Sequence, residues 1–208
     1  MKRLKLLLVD FDGVTSNGRF YRSSIESEKH LGKAAADYIF APRNSELVRK
    51  WMRGELTYDQ VHDIVENEVG IDARLLDNIL ERSIEYMPIN RPLLNLVETL
   101  RTNGVTVGLF TDNMDVFDKI STAHHMLNKR FDAIYSSSKY GQLKLENETL
   151  LHTAIEEAGA ELESTALVDD SPRSYNRARQ YGLATYLYGD YEQSQKEFEA
   201  WLKQNYNW

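Results

Sequence analysis

Short, unbroken apolar runs recur along the chain, at Leu4–Val9, Val105–Phe110, Ala133–Tyr135, Ala166–Val168 and Ala184–Leu187. Each is too short for a helix and is rich in Val, Leu, Ile, Phe or Tyr. Continuous rather than alternating apolarity predicts strands buried on both faces, as in a parallel sheet. Helical patterns lie between the runs. Leu93, Leu94, Leu96, Val97 and Leu100 share one face, with Pro92 in a first-turn position and Gly104 past the end. Leu150, Leu151, Ala154, Ile155 and Ala158 form a second face, closed by Gly159. Ser171-Pro172 reads as N-cap and first helical residue of a third helix, which Gly182 ends. A last helix is expected from Tyr191 to Gln204, with Phe198, Trp201 and Leu202 turned inward. Strands alternating with helices predict βαβ units and a doubly wound α/β sheet.

From Ser16 to Met87 the alternation stops. Apart from a possible strand at Arg19–Tyr21, the patterns there are helical: Ser45–Arg53, Tyr58–Val69 and Ala73–Met87. Thr57-Tyr-Asp-Gln60 fits a capping box, Gly54 ends the helix before it, and Asp72 suits the N-cap of the next. A helical insert of about 70 residues is therefore expected after the first strand. The predicted organisation is a sheet domain of residues 1–16 and 88–208 carrying a packed helical domain of residues 17–87.

Composition narrows the function. The 208 residues are 42% hydrophobic and contain no Cys, which excludes disorder, a disulfide framework, thiol catalysis and Cys-based zinc sites. Absence of Cys favours a cytoplasmic protein. The apolar run Leu6–Val9 is stopped by Asp10, short of a secretory segment, and no run is long enough to span a bilayer. A net charge of −7 argues against nucleic-acid or membrane-surface partners. It also requires a local device (a cation, a metal or backbone N–H groups) wherever an anion is to bind.

Ligands of open parallel sheets bind beyond the carboxyl ends of the strands, and candidate chemistry gathers there. The first strand ends in Asp10-Phe-Asp12-Gly13-Val14, paired acids at a tight turn. The second ends in Thr111-Asp112-Asn113, a hydroxyl followed by helix-capping residues that would expose N–H groups to an anion. After the third comes a loop with two competing lysines, Lys139 and Lys144. The fourth ends in Asp169-Asp170, adjacent acids whose repulsion a hard cation such as Mg²⁺ would relieve. His124-His125 are adjacent on a predicted helix and point apart; Arg173, Arg177 and Arg179 read as a solvated face. The C-terminal aromatics Tyr186, Tyr188, Tyr191, Trp201, Tyr206 and Trp208 read as packing.

This order of motifs resembles the haloacid dehalogenase-like (HAD) hydrolase superfamily, with its DxD loop, Ser or Thr, Lys or Arg, and acidic pair. Here they stand as Asp10-x-Asp12, Thr111, Lys144 and Asp169-Asp170, separated by 101, 33 and 26 residues, counted to Asp170. The resemblance spans essentially the whole chain. It implies a three-layer Rossmann-like core with an inserted cap and a small phosphorylated metabolite as substrate. It implies Asp10 as nucleophile, Asp12 as general acid and base, Thr111, Asp112, Asn113 and Lys144 around the phosphate, and Mg²⁺ held by Asp10, Asp12 and Asp170 or Asp169. The acid at Asp12 favours phosphoester chemistry over dehalogenation, since a departing halide needs no proton. Leu145 stands where many relatives have Pro, and Ser174 where some have a further acid. A phosphomutase or phosphotransferase would need cap residues for a second phosphate, for which Arg22, Lys29, Lys33 and Arg43 are candidates. A dehalogenase, a catalytically silent module and a receiver-like signalling domain are the other readings. The chain is expected to act as a monomer or homodimer.

Overall fold

The computed structural model describes residues 2–22, 25–189 and 191–208; the side chains of residues 191 and 192 lie outside the described part. Among the described residues the strands are β1 (Lys2–Arg3), β2 (Leu6–Val9), β3 (Thr106–Thr111), β4 (Ala133–Ser136), β5 (Thr165–Asp169), β6 (Ala184–Leu187) and β7 (Tyr206–Asn207). The helices are α1 (Glu26–Ile39), α2 (Ser45–Met52), α3 (Tyr58–Val69), α4 (Ala73–Glu85), α5 (Arg91–Thr102), α6 (Thr122–His124), α7 (Leu127–Arg130), α8 (Ser137–Tyr140), α9 (Thr149–Glu157), α10 (Pro172–Gln180) and α11 (Tyr191–Asn205).

Five strands form one parallel sheet in the order β4-β3-β2-β5-β6. Strand β2 is the centre, and its alternation serves two cores. Leu6 and Leu8 pack with Leu150, Leu151, Ile155 and Ala178 of α9 and α10. Leu7 and Val9 pack with Leu93, Val97, Leu100, Phe198 and Leu202 of α5 and α11. Helices on both faces bury every residue of β2, which explains its uninterrupted apolar sequence. The three-layer α/β expectation is borne out. From β2 the chain proceeds outward through β3 and β4, then returns to β5 on the other side of β2. That reversal opens a crevice beyond the carboxyl ends of β2, β3 and β5.

Helices α1 to α4 lie between β2 and β3 in sequence. The capping box at Thr57 forms, with Gln60 N–H donating to Thr57 Oγ1, and Asp72 caps α4 through Leu75 N–H at 3.1 Å. Two local expectations fail. Arg19–Tyr21 is not a strand: Phe20 and Tyr21 form a turn, with Tyr21 at φ 63°. Helix α4 stops at Glu85, short of Met87, because a residue before proline (here Pro88) is driven out of the helical region. Helix α1 was not expected at all. Its buried face is Gly32, Ala35 and Ile39, too small a stripe to register as a hydrophobic period.

Several contacts fasten these helices to the sheet. Trp51 Nε1 donates to Asp115 Oδ1 at 2.7 Å in a buried position. Arg49 and Arg53 both reach Glu146. Within the insert, Asp77 accepts from His62 Nδ1 at 2.7 Å, because a carboxylate can only accept. That leaves His62 Nε2 to accept from the Tyr21 hydroxyl at 2.8 Å. Burial lowers the His62 pKa against the pull of Asp77, in keeping with a neutral ring.

Helix α1 sits directly on the Tyr21 turn: a Cβ at Gly32 would stand 2.2 Å from the Tyr21 carbonyl oxygen. Gly32→Ala should therefore lower stability by about 1–3 kcal/mol through overpacking, although alanine is the better helix former by about 1 kcal/mol. Urea unfolding of the two proteins reads this; equal or higher stability of the variant would contradict the packing described.

Candidate active site

The sheet register sets the site. Val9 lies beside Leu109 on β3 and beside Val168 on β5, so Asp10 and Asp169 stand one residue further on at the end of neighbouring strands. Asp10 is 5% exposed and Asp169 fully buried. Lys144, 4% exposed, places its ammonium 2.8 Å from Asp10 Oδ2 and 2.7 Å from Asp169 Oδ2. The other oxygen of each acid accepts from backbone, Phe11 N–H for Asp10 and Ser171 N–H for Asp169. Of the two competing lysines, Lys139 is exposed and lies over the Tyr140 ring, 5.3 Å from its centroid.

The acid pair at the end of β5 is therefore split by environment. Both oxygens of Asp169 are engaged, whereas Asp170 is exposed at the crevice. Its carboxylate occupies the space where a side chain at position 13 would lie: a Cβ on Gly13 would come within 2.0 Å of Asp170 Oδ2. Gly13 also has φ 74°, so both turn and clearance require glycine. Oxygens of Asp10, Asp169 and Asp170 lie within 4.8 Å of one another. Three carboxylates thus crowd together while the one ammonium pairs with two of them, an arrangement that suits a divalent cation with oxygen ligands.

The charges respond accordingly. Burial pushes the Asp10 carboxyl well above its ordinary range; Lys144 pulls it down, and Asp169 and Asp12 add to the rise. Burial likewise raises Asp12 to about 6, with Lys144 opposing and Asp170 reinforcing. Burial alone would discharge Lys144, but Asp10, Asp169 and Asp112 outweigh it and hold the ammonium charged.

Thr111 ends β3 fully buried, and its hydroxyl has no hydrogen-bond partner among the described residues. A buried hydroxyl without a partner at a strand end is suited to an incoming oxyanion. Asn113 behaves differently from expectation. The Asn113 backbone N–H is not available for a phosphate, because it donates to Ser137 Oγ at 2.9 Å. Its side-chain amide instead donates to Asp12 Oδ2 at 2.8 Å, orienting that acid. The Asp112 carboxylate accepts from the Lys144 backbone N–H at 2.6 Å, so it fixes the lysine loop. Ser137, which both donates to and accepts from the Asn113 backbone, was missed; one serine in Ser136-Ser137-Ser138 carries no distinguishing sequence signal. Arg177 and Arg179 lie over Tyr181 and Tyr175 of their own segment, and His124 and His125 pack edge to face.

The family model for haloacid dehalogenase-like hydrolases matches residues 4–175. Over 214 aligned residues the chain is 23% identical to bifunctional epoxide hydrolase 2 of Mus musculus, covering 94% of this chain and 38% of that protein. The chain thus spans well under half the length of that relative. A HAD-like family hydrolase from Porphyromonas gingivalis superposes with a TM-score of 0.75 at 20% identity, covering 97% of this chain and 98% of that chain. A HAD family enzyme from Bacteroides thetaiotaomicron, solved in complex with magnesium and inorganic phosphate, superposes with a TM-score of 0.66 at 19% identity, covering 91% and 98%. At such identities the likeness is one of fold.

The raised Asp12 makes a prediction for the metal-free protein. Its folded pKa of about 6 lies above the ordinary value near ~3.9. The folded state therefore binds more protons than the unfolded one across that window, and stability falls as pH rises from about 4 through about 6. Asp12→Asn removes this loss while Asn113 can still donate to the amide oxygen. In EDTA, the melting temperature of the variant relative to wild type should climb between about pH 4 and pH 7 and then level off. A pH-independent difference would contradict the burial of Asp12.

Proposed function

Because the chain belongs to the haloacid dehalogenase-like hydrolases, we propose that it is a Mg²⁺-dependent phosphatase of small phosphorylated metabolites, working through a phosphoryl group on Asp10. The observation that carries this reading is the pair of acids two residues apart with unlike surroundings. Asp10 is tied to Lys144, and Asp12 is held by Asn113 with its pKa raised to about 6. Acids pushed into different roles by their environments are how one fold supplies both a nucleophile and a proton donor.

The residues divide the work as follows. Asp10 attacks phosphorus, and the ester oxygen departs with the proton of Asp12. Asp12, now a carboxylate, takes a proton from water as that water attacks the phosphoryl group on Asp10, which returns Asp10 and releases phosphate. The Thr111 hydroxyl donates to a phosphate oxygen, filling the bond it otherwise lacks. Lys144 offsets phosphate charge beside the nucleophile while Asp169 and Asp112 hold it in place. Asp10 and Asp170, with the backbone carbonyl of Asp12, would hold Mg²⁺; Asp169 is spent on Lys144 and Ser171 and supports from behind. When bound there, Mg²⁺ would supply charge neutralisation at the nucleophile and the phosphoryl oxygens. Helices α1 to α4 act as a cap over the crevice. A dehalogenase has no use for the proton of Asp12, which weighs against that alternative.

Purified protein with Mg²⁺ should release inorganic phosphate from some members of a broad phosphate-ester panel. EDTA should abolish the release, and Asp10→Asn should lower it by at least about a thousandfold. A folded, Mg²⁺-supplied protein inert across the panel, or an Asp10→Asn variant that keeps its activity, would overturn the proposal.

A further inference from the structure

The crevice opens into a cavity of about 960 Å³. Asp12 and Asp170 line one side, and Arg19, Arg22, Lys29 and Lys33 line it where the chain enters the insert and along α1. The four cations are not equivalent. Lys29 pairs with Glu26 and Lys33 with Asp37, each within α1. Arg19 and Arg22 are exposed and have no ion-pair partner among the described residues, in a chain with 32 acids to choose from. Arg19 stands near enough for its charge to be felt at both Asp12 and Asp170.

The segment bearing these arginines is held tightly. Tyr21 lies between them, 1% exposed, at φ 63°, a conformation rare for an aromatic residue. It is pinned through its N–H to Ser83 Oγ at 3.1 Å and through its hydroxyl to His62 at 2.8 Å. Gly18 lies flat on Met87, where a Cβ would come within 2.0 Å of Met87 Cγ. Tyr21 thus acts as a positioning residue for the guanidinium-bearing positions on either side of it.

Two guanidiniums at the wall of one cavity, neither with an ion-pair partner among the described residues, would gain from an anion that reached both. Their planar forks match phosphate and carboxylate oxygens two at a time. The scissile phosphate has its own partners at Thr111 and Lys144, so it does not fill this place. A cavity of this volume lies in the range that holds a metabolite with groups at both ends. We propose that Arg19 and Arg22 form a second anion subsite, and that the substrate is a phosphate ester bearing a further phosphate or carboxylate remote from the bond that breaks. This rests on the phosphatase reading above and narrows its substrate class.

The test uses matched esters that differ only in the second anion: a hexose monophosphate against its bisphosphate, and glycerol phosphate against phosphoglycerate. With Mg²⁺, wild type should favour the doubly anionic member by about tenfold or more in kcat/KM, chiefly through KM. Arg19→Gln and Arg22→Gln should each cut that ratio several-fold. Arg43→Gln should keep it, since Arg43 lies over the Tyr38 ring and does not line the cavity. A wild-type ratio near one, or a ratio unchanged in both cavity variants, overturns the proposal. Calorimetric titration of the same pairs into Mg²⁺-supplied Asp10→Asn gives a reading independent of turnover. Tighter binding of the doubly anionic member, lost on adding Arg19→Gln, supports the subsite even where no ester is hydrolysed. Equal binding, or none, counts against it.

Discussion

Lys144 carries a charge into the interior and meets Asp10 at 2.8 Å and Asp169 at 2.7 Å. The three residues come from a loop after β4, from the end of β2 and from the end of β5. They meet only if the strands are ordered and registered as they are. Burying an ammonium is tolerable only with close carboxylates and further hydrogen bonds, and losing one partner of such a group typically costs about 3–5 kcal/mol. Both acids also accept from backbone, and Asp112 holds the lysine backbone, so the cluster is satisfied from several sides. Fold and site are in this sense one constraint.

The same cluster explains why the site suits a cation. Lys144 answers one negative charge where Asp10, Asp169 and Asp170 bring three. Burial raises the carboxyls of Asp10 and Asp12 most, and the neighbouring acids add to the rise against the pull of Lys144. The net charge of −7 does not exclude an anionic ligand, because cations stand close by: Lys144 is buried against Asp10, and Arg19 and Arg22 line the cavity where the insert begins.

Much of the sheet was legible because a strand buried on both faces leaves an unbroken apolar run, and because a polar residue immediately after such a run has to serve at the strand end. Asp10, Thr111 and Asp169 all announced themselves this way. Helix α1 did not, since Gly32 and Ala35 bury a face without apolar bulk. Lys144 could not be told from Lys139 by composition; only the Asp112 contact and the path of the loop separate a buried ammonium from an exposed one. The part played by the Asn113 N–H differs from the expectation for a related reason. As a capping residue Asn113 is expected to offer its N–H to a phosphate, but Ser137, far off in sequence, takes that N–H, and the Asn113 amide is turned to Asp12. The Tyr21-His62-Asp77 chain is likewise a long-range arrangement, and a positive φ at a tyrosine leaves no trace in sequence.

The central claim is that Asp10, held between Lys144 and its neighbouring acids, takes up the phosphoryl group. Rapid acid quench during turnover of a phosphate ester with Mg²⁺, followed by peptide mass mapping, tests it directly. The account predicts a phosphoryl group on the peptide bearing Asp10, on the side chain of Asp10 itself. Steady turnover with no phosphorylated peptide, or with the phosphoryl group on another residue, would contradict it.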